Sequence, residues 1–159
     1  TAALILVIII IASNLYLVTK NNPRGPNPEI NVQTGMLLED QKKAIDYIYQ
    51  TARGDIFAVN GFTMPFYINT TWAYLFEWYG QKNYGYLPIW GGNTAIGYPG
   101  NLEINNSRST LPEKRFLILE PSRGLEDKEK DFLMEEGWFT DIIEEKRFGD
   151  LRIRFQKPK

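Results

Sequence analysis

Residues Ala2 to Ala12 form an unbroken apolar run, and the first charged side chain of the sequence is Lys20. Eight of those eleven residues are Leu, Ile or Val. Near a bilayer centre they contribute about −3 to −5 kcal/mol toward insertion, from which Ser13 and Asn14 subtract. Tyr16 and Lys20 then follow in the order of an aromatic interface belt and a headgroup-level cation. The pattern predicts that residues 1–19 are the end of a transmembrane helix. Taken alone, a run of this length also fits a buried strand or a core helix. A signal peptide fits less well, because no A-x-A-like cleavage site lies near the end of the run. With no initiating Met and no basic region before it, the run reads as the last span of a longer membrane protein.

Residues 20–36 hold Pro23, Pro26, Pro28 and Gly25 among Asn and Lys, which resists helix and strand alike and reads as a linker. Residues 37–159 read as a soluble α/β domain. Leu38, Ile45, Ile48 and Ala52 recur at helical spacing, with Gly54 placed to cap a helix from about Leu37 to Arg53. Ile56 to Val59 reads as a buried strand bounded by Asp55 and Asn60-Gly61. A second helix starts at Thr70 or Thr71 and runs to Tyr79, ended by Gly80. Residues 84–112 are rich in Gly and Asn and include three Pro, which predicts a long ordered loop with at most short strands. Phe116 to Leu119 is the clearest central strand. A helix over Leu125 to Glu136 follows, stopped by Gly137, and the tail reads as a hairpin of Ile142 to Arg147 and Leu151 to Phe155. The order implies a layered α/β body whose mixed sheet is parallel in its middle and ends in an antiparallel carboxyl-terminal β-hairpin.

Charge and composition narrow the chemistry. Lys and Arg number 18 against 19 Asp and Glu, so no basic field exists to hold a nucleic-acid backbone. Cys and His are absent, which removes thiol nucleophiles, Ser-His-Asp triads, Cys/His zinc sites and disulfides. No catalytic residue, metal site or cofactor is assigned to this chain.

The aromatic residues supply the first candidate surface. Thirteen of the 22 fall between Phe57 and Tyr98. On the second helix Trp72, Phe76 and Tyr79 share one face while Tyr74 and Trp78 share another. One face is core. The other either packs on the following loop, meets a membrane interface, or stacks on carbohydrate or a lipid-linked substrate. Trp72, Trp78, Tyr79, Tyr84, Tyr86 and Trp90 are the candidate substrate or interface residues.

Polar candidates come from two turns expected at the carboxyl ends of parallel strands, where open α/β sheets place ligands. These are Asn60 at Asn60-Gly61, with Glu120 and Arg123 in Glu120-Pro121-Ser122-Arg123-Gly124. Structural alternatives for Glu120 are a helix cap or a pair with Arg123. Trp90 to Gly97 lacks the Gly-Lys-Ser/Thr ending of a phosphate loop. The pairs Glu135-Glu136 and Glu144-Glu145 fit solvated faces, with Arg152 and Arg154 opposite the second pair. Asn69-Thr70-Thr71 and Asn105-Asn106-Ser107 match N-glycosylation sequons.

Taken together, the apolar end, the Pro-rich linker, the helix Gln41 to Arg53, Tyr74-Leu75-Phe76-Glu77-Trp78-Tyr79-Gly80, Tyr84-Gly85-Tyr86, Pro88, Tyr98-Pro99-Gly100 and Phe116-Leu117-Ile118-Leu119-Glu120-Pro121 carry a resemblance. The chain resembles the carboxyl-terminal soluble region of bacterial GT-C type membrane glycosyltransferases, similar to dolichyl-phosphate-mannose protein mannosyltransferases and aminoarabinose transferases. The resemblance rests on layout and aromatic wording. It implies an extracytoplasmic domain of a polytopic enzyme that transfers sugar from a polyprenyl-phosphate donor. The family's catalytic acids lie in the first external loop of the membrane portion, so this chain would be non-catalytic. Its implied partners are the membrane, the upstream transmembrane portion and a lipid-linked sugar or glycan acceptor. Lys20 and Arg24 lean weakly toward a cytoplasmic body, and the resemblance outweighs them. The alternative reading is a membrane-anchored, non-enzymatic glycan-binding or structural domain.

Overall fold

The computed structural model describes residues 2–21, 36–94, 100–122 and 124–159, with no side-chain description at 2 and 18–21. Most of the predicted linker therefore lies outside the described residues, as do Tyr98 and Arg123.

The apolar run forms helix α1 (Ala2–Asn21), neither a strand nor a core helix. Its large apolar side chains from Leu4 to Leu17 are exposed around the whole circumference. The stretch free of polar residues, Ala2 to Ala12, rises about 16 Å, against a hydrocarbon core of roughly 30 Å. Among the described residues no helix is long and apolar enough to cross a membrane.

The body is a mixed α/β unit around a five-stranded sheet of order β2-β1-β3-β5-β4. Its strands are β1 (Phe57–Phe62), β2 (Ile89–Trp90), β3 (Lys114–Leu119), β4 (Thr140–Phe148) and β5 (Leu151–Pro158). β1 pairs in parallel with β2 and β3, while β5 pairs antiparallel with both β3 and β4. This is the mixed sheet with an edge hairpin that the element order predicts. Across the hairpin Glu145 faces Arg154 and accepts from its Nε at 2.6 Å.

One sheet face carries Phe57, Val59, Phe116, Ile118, Ile153 and Phe155 and is covered by helix α2 (Leu38–Ala52), whose Ala44, Ile45, Ile48 and Ala52 are fully buried. The helix ends where Arg53 and then Gly54 take left-handed backbone, with the Arg53 N–H on the Tyr49 carbonyl. The predicted helix stop is thus met one residue early. The other face buries Phe62, Leu117 and Leu119 under Phe132 and Leu133 of helix α5 (Glu126–Phe139).

Three expected boundaries move, each because packing overrides local propensity. The strand predicted over Ile56 to Val59 continues to Phe62, so Asn60-Gly61 is not a turn but part of the parallel ladder, with Asn60 beside Leu117 and Gly61 beside Ile118. The helix predicted to stop at Gly80 starts as α3 (Thr70–Leu75) and runs on through a π-helical stretch (Phe76–Gln81) into α4 (Lys82–Tyr84), ending at Gly85 with φ 87°. Gly80 is there for closeness: a Cβ on it would stand 2.8 Å from the Tyr49 ring. Helix α5 likewise passes through Gly137 to Phe139, and β4 begins at the next residue with no loop between. The long segment between α4 and β3 contributes β2 and one further parallel bridge, Trp90 with Ile104.

Candidate functional site

The structure divides the six aromatic candidates. Trp72 and Trp90 are 0% and 1% exposed and present no face to a ligand. The surface role expected of these two is corrected to a core role, fixed by the inward face of α3 and by the pairing of β2 with β1. Tyr84 stacks on Tyr49 with ring centroids 4.3 Å apart and planes at 3°, and Tyr86 meets Tyr49 edge-on at 5.0 Å. The hydroxyls of Tyr79 and Tyr84 both donate to Asp46 of α2, at 3.0 and 2.8 Å. These three tyrosines are half-buried and tie the aromatic helix to α2. Burial raises the Tyr84 hydroxyl to about 12, with the Asp46 carboxylate adding to the effect.

Trp78 alone of the six is exposed, at 42%, and its neighbour one turn earlier, Tyr74, is 58% exposed. The two rings are stacked, 6.1 Å between centroids and 7° between planes, as expected for i,i+4 side chains on one face. The Lys42 ammonium stands 5.0 Å from the Trp78 ring centroid. Beside this ledge Asn101 donates to Glu77, and a shallow depression is lined by Thr70, Ala73, Tyr74, Gly100 and Asn101. The face left open between three surroundings is, among the described residues, turned outward.

The polar candidates also separate. Asn60 lies on the α5 face of the sheet, at a cleft of about 130 Å³ lined by Tyr67, Gly91, Gly92, Asn93, Asn106, Arg108, Phe132, Glu135 and Glu136. The Asn60 amide donates to Glu136 at 3.2 Å and its carbonyl accepts the Gly61 N–H at 2.8 Å. Glu136 is 5% exposed and also accepts from Arg108 at 2.8 Å. Arg108 Cζ in turn stands 4.3 Å from the Phe139 ring centroid, with Glu135 3.8 Å away. Buried Arg115 fixes the segment that carries Arg108, donating to the carbonyls of Arg108 and Pro112 at 2.9 and 3.0 Å. Burial, then the Arg108 charge, lowers the Arg115 guanidinium below its ordinary range. Gly92 leaves room for the Asn60 side chain, since a Cβ there would stand 1.8 Å from the Asn60 side-chain oxygen. Tyr67, with φ 61°, holds a left-handed conformation that is uncommon for a non-glycine residue.

Glu120 sits elsewhere and is no surface group. It is 3% exposed and accepts from the Met64 N–H at 2.6 Å and from Trp72 Nε1 at 2.8 Å, so it ties the end of β3 to the start of the aromatic helix. Burial pushes its carboxyl above the usual range while both donors pull the other way. The expected ligand role of Glu120 is therefore corrected to a buried clamp. Arg123 lies outside the described residues. The solvated-face reading of Glu135-Glu136 holds for Glu135 alone, because Glu136 points under the sheet. Of the two sequons, Asn69 is 4% exposed, so its folded side chain offers no attachment point.

Sequence reasoning missed Arg108, Arg115 and Glu136, which come together from positions 28 and 21 residues apart. Only the Gly91-Gly92 pair signalled close backbone approach. The cleft holds two carboxylates, one guanidinium and three Asn amides, a set suited to uncharged hydroxyl-bearing ligands. Among the described residues no group of three or more carboxylates gathers to hold a metal ion. No family model, curated protein or solved structure matches the chain.

Proposed function

We propose that the chain is the carboxyl-terminal, extracytoplasmic part of a polytopic membrane glycosyltransferase that uses a polyprenyl-phosphate-linked sugar, and that its body positions donor or acceptor without doing the chemistry. The observation that carries this reading is the exposed, parallel Tyr74–Trp78 pair on a helix whose Trp72 and Phe76 are buried in the core. Parallel aromatic faces bind the apolar faces of sugar rings, and the amide-rich cleft offers paired donors and acceptors for hydroxyls. The exposed apolar surface of α1 supports attachment to a bilayer. The test is sugar transfer by the full-length enzyme carrying Tyr74→Ala and Trp78→Ala. The expected result is a raised KM for acceptor or donor with kcat less affected; unchanged transfer at unchanged expression overturns the reading.

A second reading, a membrane-anchored glycan-binding or structural domain with no enzyme attached, draws on the burial of Trp72 and Trp90. The coding sequence upstream of Thr1 separates the two. Several apolar spans with an acidic pair in the first external loop support the enzyme; a single span removes it.

A further inference from the structure

Five of the body's exposed large apolar side chains fall within ten residues of the α5–β4 junction: Met134, Trp138, Phe139, Ile142 and Ile143, each 43–63% exposed. Met134 and Trp138 are one helical turn apart on α5. The absence of a loop before β4 keeps Ile142 and Ile143 within four residues of the helix end. A register shift between Ile142 and Glu144 leaves Ile143 out of the ladder on an edge strand. Soluble proteins rarely gather apolar groups this way without a partner for them.

We infer that this junction lies on the bilayer surface, with Trp138 at headgroup depth and Ile142 and Ile143 below it. The inference rests on reading α1 as lying in the bilayer. Fourteen residues separate Asn21 from Met36, which caps the distance between the helix end and the body at about 50 Å. The composition fits the interface: one Trp beside aliphatic tips is the arrangement that headgroup layers favour. Charge fits an uncharged lipid surface. Lys157 faces Asp141 across the hairpin, and Lys159 reaches the same carboxylate at 4.0 Å, so these three groups leave one net positive charge and no basic cluster at the rim. Contact therefore needs no anionic lipid and depends only weakly on salt.

The experiment uses the full chain in phosphatidylcholine vesicles with acyl chains brominated near the headgroup, read by tryptophan fluorescence and by flotation. Trp138 is the most exposed of the four tryptophans, ahead of Trp78, while Trp72 and Trp90 are buried. Trp138→Phe is expected to remove at least about half of the lipid quenching, and Trp78→Phe to leave most of it. Ile142→Asp with Ile143→Asp is expected to reduce Trp138 quenching while flotation through α1 persists. Flotation without lipid quenching of Trp138 overturns the inference and leaves the α1 reading standing. Shielding of Trp138 that tracks protein concentration instead of lipid assigns the patch to a second copy and overturns it too. A chain that does not float overturns both.

Discussion

Gly80 lies against Tyr49 so closely that a Cβ on the glycine would stand 2.8 Å from both Cε2 and the hydroxyl oxygen of the tyrosine. The π-helical stretch and α2 therefore share one packing surface, and the same Tyr49 ring stacks on Tyr84 four residues beyond. Replacing Gly80 by Ala raises helix propensity by about 1 kcal/mol but overpacks a buried contact, which costs about 1–3 kcal/mol. The tyrosine ring is held on several sides, so overpacking wins. Urea unfolding of Gly80→Ala is expected to show lower stability, and a gain would mean that Tyr49 moves aside at no cost.

Gly92 meets Asn60 in the same way, on the cleft side of the sheet. Gly92→Ala is expected to displace the Asn60 side chain and break its bond to Glu136. The double variant with Asn60→Ala should recover part of the loss, because the clash is with the Asn60 oxygen at 1.8 Å. A double variant no more stable than Gly92→Ala would place the strain in backbone instead.

Arg108 and Glu136 form a pair in which the carboxylate is the buried partner. Arg108→Ala leaves that charge with the Asn60 amide and the Arg115 guanidinium nearby, and is expected to destabilise by about 1–3 kcal/mol, discounted for the partial exposure of the arginine. Adding Glu136→Gln should restore part of it. The measurement is a denaturant series on the two single variants and the double. Additive losses would show that the pair is not coupled.

Glu120 sets a pH dependence. Its folded pKa is raised by burial, so its protonated form is favoured on folding. A raised folded pKa contributes stability that is fully present below the unfolded value, near pH 4.3, and is lost as pH rises through the folded one. Wild-type stability should therefore carry a falling component above about pH 4.3 that Glu120→Gln lacks. Gln also turns an N–H₂ toward one of the two donors, Met64 or Trp72, and should cost about 1–3 kcal/mol at any pH. Parallel stability–pH curves for the two proteins would contradict the assignment.

Tyr47 and Tyr84 are both raised to about 12, first by burial and then by Glu144 and Asp46 respectively. Their folded values lie above the unfolded one of about 10, so the stability they contribute is present below pH 10 and lost as pH approaches 12. Spectrophotometric titration should show a late-ionising tyrosine class. Asp46→Asn should bring Tyr84 only part of the way down, because burial is the larger cause. A full return to the ordinary value would assign the shift to Asp46 alone.

The sequence by itself determined what local periodicity can encode. The apolar run of α1, the buried stripe of α2, the apolar β3 and the existence of the β4–β5 hairpin all follow from side chains a few positions apart, and their order implied a mixed sheet; the structure shortened the expected turn Phe148-Gly149-Asp150 to Gly149-Asp150. Tertiary structure decided where two glycines stop mattering as breakers: Gly80 and Gly137 lie inside helices because packing or continued hydrogen bonding outweighs a propensity cost of about 1 kcal/mol. It also decided which polar residues are interior. Glu120 and Glu136 read as surface carboxylates, yet each is buried, because the groups that satisfy them, Met64, Trp72, Asn60 and Arg108, lie 28 to 76 residues away. The same distance rule sorts the aromatics: Trp72 and Trp78 have the same composition cue, and only the sheet beneath α3 makes one core and leaves the other facing outward.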